Sequence, residues 1–258
     1  MDGVRRAFAV VGWHAQGYRH TWRGTVTVSF LNPVFFLLSI GVLLGRLIDS
    51  RHPQLGGLDY LQFVAPALLA TTAMQTAASL STFPVLAGLK WLRTYQAVVA
   101  TPVRVPELVA GLLAWTGARV LFSVSVFAAI AAVGGAFTSA YAALAALAAL
   151  LCGLAFAAAI TAFSARLENA NWLAPVFRFV LLPLFLFSGT FFPLSRLPEW
   201  IRPLAWATPL WHGVSLCRDI ATGRAAALPT AVHVLYLVAL AAVGVTVAVR
   251  TCERRLLS

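Results

Sequence analysis

Long stretches without Asp, Glu, Lys or Arg alternate with short charged segments along the chain, at 24–45, 60–89, 120–165, 179–195 and 225–249. A helix needs about 20 apolar residues to cross the hydrocarbon core of a bilayer. The stretch 120–165 is too long for one crossing. Its segment Val133-Gly134-Gly135-Ala136-Phe137-Thr138-Ser139 has paired glycines and a polar pair, which read as a tight turn. With a break there, and the first half extended back to Glu107, the pattern predicts six spans near 25–45, 62–84, 107–133, 139–163, 173–192 and 230–250.

Three segments between and before these spans have patterns of their own. In residues 1–23, Phe8, Val11, Ala15, Tyr18 and Trp22 recur at helical spacing, with Arg6, Gln16 and His20 opposite. This predicts an amphipathic helix lying in the membrane interface. Basic residues at both ends and no uninterrupted apolar core separate it from a signal peptide. Residues 88–104 set Leu89, Leu92 and Val99 against Lys90, Arg93 and Thr94, a short amphipathic helix stopped at Thr101-Pro102. A connector needs only a few residues, so a structured one suggests a docking surface, or else a second helix on lipid. In 193–229, Pro198, Pro203 and Pro209 cut the chain into pieces too short to span, and Trp200, Trp206 and Trp211 suit the headgroup level. Short re-entrant helices are expected there, or a plain outer cap.

Composition strengthens the membrane reading. Of 258 residues 60% are hydrophobic and 10% charged, against about 25% charged in soluble domains. A globule of this size could not bury that excess, which excludes an ordinary soluble enzyme. The net charge of +11 comes from residues at span ends rather than from a wet basic face, so nucleic acid is not the expected partner and anionic lipid is. Eleven basic residues fall on the side of the termini and of the 88–104 loop, against six on the other. The positive-inside rule then places both termini in the cytoplasm. The expected fold is an all-α, multi-pass integral membrane protein with six transmembrane helices in a single domain over 1–258.

Catalytic chemistry is not visible. No GxxxxGK[ST], HExxH or GxSxG stretch occurs, and Lys90 is the one lysine. His14, His20, His52, His212 and His233 are scattered. Cys152, Cys217 and Cys252 form neither a CxxC pair nor a zinc spacing, so no metal or bound cofactor is expected. Arg119 stands out. It sits mid-span, where insertion costs about 2.5–3.5 kcal/mol. It suits either a substrate-headgroup or subunit contact, or a structural pairing with helix-end carbonyls or a polar neighbour. Glu107 is too far along the same helix, about 18 Å, to be that partner.

The block FLFSGTFFPLSRLPEWIRPLAWATPLWHGVSLCRDIATG (185–223) closely resembles the membrane subunits of type-2 ABC exporters. YLQFVAPALLATTAMQTA (60–77) and TYQAVVATPVRVPELVAG (94–111) are similar to them too, in matching order along almost the whole chain. The nearest branch is the permeases of bacterial nodulation lipo-oligosaccharide exporters and related antibiotic-efflux systems. The resemblance implies a half-transporter of the bacterial plasma (inner) membrane that pairs with a second permease, as a homodimer or heterodimer. It also implies two copies of a separate ABC ATP-binding subunit, which would carry the ATP and Mg. In that family the N-terminal helix and the loop after span two dock on the ATPase. Here these are 8–18 and 88–101, with Lys90, Arg93, Tyr95 and Thr101 as expected contacts. Spans one and five line the route in relatives, which brings in Asn32, Phe35, Phe36, Phe185 and Phe187. Gly189, Phe191, Phe192 and Trp200 would form the outer gate.

The function expected is export of an amphipathic molecule, a lipid-linked saccharide or hydrophobic natural product, by a subunit that is not itself an enzyme. An integral membrane lipid-modifying enzyme would instead need a charged or histidine cluster at the membrane face. A passive channel or scaffold would have no ATPase neighbour.

Overall fold

The computed structural model describes residues 2–39, 58–139 and 141–257, and among these every regular element is helical. Helix α1 is Asp2–Tyr18 and α2 is Trp22–Phe36. Helix α3, Tyr60–Ser81, starts where the Gln62 side chain accepts a hydrogen bond from the Asp59 N–H at 3.4 Å. It runs through Pro66 and breaks at Thr82, whose backbone lies outside the helical region. Helices α4, Phe83–Lys90, and α5, Thr94–Val99, follow. Helix α6, Val105–Val133, opens with Pro106 in its first turn, and Glu107 accepts from the Arg104 N–H at 2.8 Å. Helix α7 is Ala142–Ser164.

The segment Ala170–Phe187, α8, changes pitch along its length. A 3-10 turn, Ala170–Trp172, leads through Leu173–Val176 into a π stretch, Phe177–Leu181, and ends as the α-helix Leu182–Phe187. Beyond it lie the 3-10 turn Leu194–Arg196, then α9, Arg202–Trp206, and α10, Pro209–Ala221, whose first turn is capped by Thr208. Helix α11, Ala227–Leu256, closes the chain.

Five helices among the described residues are long and apolar enough to cross a membrane: Tyr60–Lys90, Val105–Val133, Ala143–Ser164, Ala170–Phe187 and Ala227–Leu256. They match the expected spans two to six. The turn read at 133–139 is present, with Gly135 at φ 73°. The fifth span ends at Phe187 rather than 192, because Ser188 leaves the helix and Gly189 takes φ 78°. Of the expected first span, 25–45, α2 covers the part up to Phe36 without reaching membrane-crossing length among the described residues, and 40–45 lie outside those described.

Helix α7 is the hub, packed against α11, α3, α10 and α6. Its buried face is rich in alanine (Ala145, Ala149, Ala155, Ala157 and Ala158 among others) beside Cys152, Phe156, Ile160, Thr161 and Ser164, and small residues let neighbouring backbones approach closely in a lipid solvent. Helix α1 is not a free interfacial helix. It runs alongside the first half of α6 in the same direction, with Val10 set against Gly111 and His14 stacked on Trp115 at 6.2 Å. The face it buries passes through Val10 and His14, a rotation away from the sequence stripe, and Phe8 of that stripe is exposed.

The loops sort into two ends. At one, Arg6 pairs with Glu107 at 3.6 Å, and Lys90 and Arg255 both reach Glu168. At the other, the Thr138 and Ser139 N–H groups donate to the Ala221 carbonyl at 3.3 and 3.1 Å.

Candidate functional site

The expected docking helix over 88–101 is two helices. Arg93 separates α4 from α5 at φ 52°, ψ 26°, a left-handed conformation that a non-glycine residue rarely takes. The hairpin is held from within. The Leu92 N–H donates to Ala87 O at 2.9 Å and the Gln96 amide to Leu89 O at 2.6 Å. The tip displays Trp91 and Leu92, exposed, with Phe83 beside Trp91 at 5.3 Å between ring centroids.

The expected contacts divide between tip and interior. Arg93 and Thr101 are exposed, and the Thr101 hydroxyl donates to Val98 O at 2.6 Å. Tyr95 is buried, with its ring against Gly88 and its phenol beside Cys252. Burial first, and then the Cys252 thiol, push that phenol well above the ordinary range, so it stays neutral. Lys90 is engaged within the chain. It donates to the Glu168 backbone carbonyl and lies 3.3 Å from Glu168 Oε2.

The aromatic residues expected along the route come together in part. Phe36 of α2 meets Phe185 of α8 edge-to-face at 6.4 Å, and Phe185 meets Phe191 at 4.9 Å. Phe35 and Phe187 are exposed beside this ladder. Asn32 lies in α2, and its side chain falls outside the described residues. Below the ladder, α3 and α8 flank a half-open groove of about 280 Å³ lined by Met74, Gln75, Ser79, Phe177, Leu181, Leu182 and Phe185. Gln75 and Ser79 are one turn apart on α3 and give this apolar groove a polar wall.

At the opposite end from the hairpin, Arg218 ties three elements together. Its Nε donates to Phe63 O at 3.1 Å, an Nη donates to Gly189 O at 2.8 Å, and its guanidinium stands 3.8 Å over the Phe63 ring. The positive φ at Gly189 turns that carbonyl toward Arg218 without the Cβ strain another residue would incur. Phe191 and Phe192 are partly buried beside this knot, and the Phe191 carbonyl accepts from Tyr60 at 3.4 Å. Trp200 is 80% exposed and stands apart from them.

Sequence reasoning missed three groupings. Arg218 was counted only as a loop charge. His212 and His233, 21 positions apart, are buried with their Nδ1 atoms 2.8 Å from each other, and Tyr236 stacks on His212 at 3.9 Å. Glu168 collects two cations that the sequence left on separate segments. The hydrophobic pattern assigns these residues to elements but carries no signal for which ones meet. Arg119, whose partner was open, lies over Tyr18 at the end of α1, with its guanidinium 4.0 Å from that ring and 5.9 Å from the Trp115 ring. The face of an aromatic ring is a good place for a cation removed from water. Among the described residues, no three His, Cys, Asp or Glu side chains converge as a metal site would require.

The sequence matches the ABC-2 type transporter family over residues 7–221. It is similar to Nodulation protein J of Sinorhizobium fredii (strain NBRC 101917 / NGR234), 28% identical over 241 residues, covering 92% of this chain and 90% of the relative. Nodulation protein J of Bradyrhizobium diazoefficiens is 26% identical, with 92% and 90% covered. Inner membrane transport permease YadH of Escherichia coli (strain K12) is 26% identical, with 72% and 73% covered. With five membrane-length helices packed around an alanine-rich hub and a family match over most of its length, the chain belongs to the ABC-2 type transporter family, as an integral membrane permease.

Proposed function

We propose that this permease is half of an ATP-driven exporter and that separate ATP-binding subunits, two per complex, dock on the α4–α5 hairpin. The observation that carries this reading is the hairpin tip. Trp91 and Leu92 are exposed next to a cationic Arg93 at an end rich in basic residues, and the sequence has no phosphate-binding loop of its own. Exposed apolar side chains rimmed by charge are what a partner covers. The ATP and its Mg belong to that partner. Two permeases, identical or different, complete the membrane part. The basic end faces the cytoplasm of a bacterial inner membrane, and both termini lie there. The cargo is an amphipathic molecule, a lipid-linked saccharide or a hydrophobic natural product. The Phe36–Phe185–Phe191 ladder fits acyl or polyketide surface, and Gln75 and Ser79 fit polar groups. The permease contributes differential packing between two states rather than catalysis.

Co-expression with an ATP-binding subunit tests the docking. Leu92→Glu combined with Arg93→Glu should reduce co-purified ATPase by about tenfold or more, as expected when central interface contacts are lost. Undiminished capture and undiminished ATP turnover in that variant would refute the assignment.

A further inference from the structure

Span five is the least attached of the five candidate spans, with 11% of its apolar window buried against 22–72% for the others. Its outer half leans on Phe36 and Phe191 through Phe185. Its inner root is held differently. Leu173, in the first turns of α8, forms a small apolar cluster with Leu167 and with Leu86 of α4, separate from the main core, and Ala170 packs against it. Glu168 lies two residues before α8. Its backbone carbonyl and its Oε2 both take Lys90, the last residue of α4, and its Oε1 faces an Arg255 Nη at 3.8 Å. The other Nη of Arg255, near the end of α11, donates to Ala165 O at 2.8 Å and Leu167 O at 2.6 Å. The strand of chain leading into span five is therefore clasped between the docking hairpin and the final helix.

We infer that Glu168 is a positioning residue for transport: with Lys90 and Arg255 it passes displacement of the docking hairpin to the root of span five. This rests on the docking reading above. The Glu168 side chain is 79% exposed, and ion pairs so placed contribute little to stability. The clasp therefore sets where α8 begins rather than whether the chain folds. Above it, the π stretch Phe177–Leu181 lies between Pro175 and Pro183, an irregularity at which a helix can change direction. Movement at the root can thus swing the half of α8 that carries Phe185.

Two arms test this. In the first, the full chain is placed in lipid nanodiscs without a partner and amide exchange is followed over 170–176. Lys90→Gln, which loses both contacts to Glu168, should raise exchange by about fivefold, and Glu168→Gln, which keeps the backbone carbonyl, by about twofold. The double variant should add little to Lys90→Gln, because the Lys90 contacts include the one to the Glu168 side chain. Lys90→Arg, which keeps the cation, should stay near wild type, and the unfolding midpoint should not move. Unchanged exchange, or effects that add in full, would overturn the clasp.

In the second arm, a nitroxide on Phe179→Cys reports span-five motion in the complex with an ATP-binding subunit. Glu168→Gln should leave ATPase capture and ATP hydrolysis intact while the ATP-dependent spectral change drops by about tenfold. An unaltered spectral change would overturn the coupling role. If wild type captures no ATPase, the docking reading fails, and the first arm still decides the clasp.

Discussion

A methyl group added at Gly88 would stand 2.7 Å from Tyr95 Cζ, and Tyr95 is 4% exposed with little room to retreat. The Gly88→Ala variant should therefore lose about 1–3 kcal/mol through overpacking. Tyr95→Leu in the same background should recover part of that loss, because a smaller side chain frees the space. Denaturant unfolding in detergent measures both, and a Gly88→Ala midpoint equal to wild type would show that the ring moves freely. The same pair shows what a sequence can and cannot convey about single residues. An aromatic residue in a basic loop reads as a surface contact, yet Tyr95 faces inward and braces the hairpin, leaving the tip to Trp91, Leu92 and Arg93. Arg93 was legible as an exposed cation but not as a left-handed residue, since that conformation is imposed by the bonds from Leu92 and Gln96 to α4. His212 and His233 read only as scattered along the sequence, and their contact depends on how α10 meets α11.

Helix α1 shows the same limit at the level of an element. Helical periodicity found the helix and its amphipathic character, because both depend on neighbours in sequence. The stripe read as facing lipid gave no sign of the face on α6, which shares Tyr18 with it but turns through Val10, because Val10 is matched to Gly111 and to nothing within α1. His14 sits in that interface, and burial lowers its pKa from the ordinary 6.5. The docked helix thus holds the neutral imidazole, while an undocked one takes up a proton at the ordinary value. The contribution of His14 is fully present above that value and is lost as pH falls from it through the lowered value of the docked helix. Amide exchange over residues 2–18 in bicelles, taken relative to the rate of an unprotected peptide at each pH, should therefore rise as pH falls from about 7.5 to 5.5 in wild type, the window where histidine changes charge. The rise should be smaller in His14→Phe, which keeps a ring against Trp115 but cannot titrate. Equal rises in the two proteins would remove His14 from the account. The internal pitch of α8 was not legible at all. An apolar run with two prolines specifies a span, and only packing decides whether the helix between them tightens or widens.

Across the whole molecule, alternation of apolar and charged segments fixed most of the architecture, because lipid forces every backbone polar group into a helix. Spans two to six fall within a few residues of their expected limits. The three-dimensional contacts then gather the loops at two ends: α1's start, the α4–α5 hairpin, Glu168 and Arg255 at one, and the 134–139 turn, Gly189 and Ala221 at the other. That division follows the charge asymmetry for nine of the eleven basic residues assigned to that side, Arg5, Arg6, Lys90, Arg93, Arg104, Arg166, Arg250, Arg254 and Arg255, while Arg19 and Arg23 follow the end of α1 that lies beside Arg119 of α6. On the positive-inside rule, that asymmetry is what would put the hairpin end in the cytoplasm. Single cysteines can test it, because Cys152, Cys217 and Cys252 are buried and give a low background. On intact spheroplasts a membrane-impermeant maleimide should label Ala225→Cys, at the exposed turn before α11, within minutes. In permease expressed without an ATP-binding subunit, Leu92→Cys at the hairpin tip and Leu257→Cys at the end of α11 should react at least about tenfold more slowly until the membrane is opened, the bilayer then being the barrier between reagent and thiol. Labelling of Leu92→Cys from outside would invert the molecule and leave the hairpin out of reach of any cytoplasmic ATPase. Labelling of Leu92→Cys and Leu257→Cys from opposite sides would break the shared end that Lys90, Glu168 and Arg255 define.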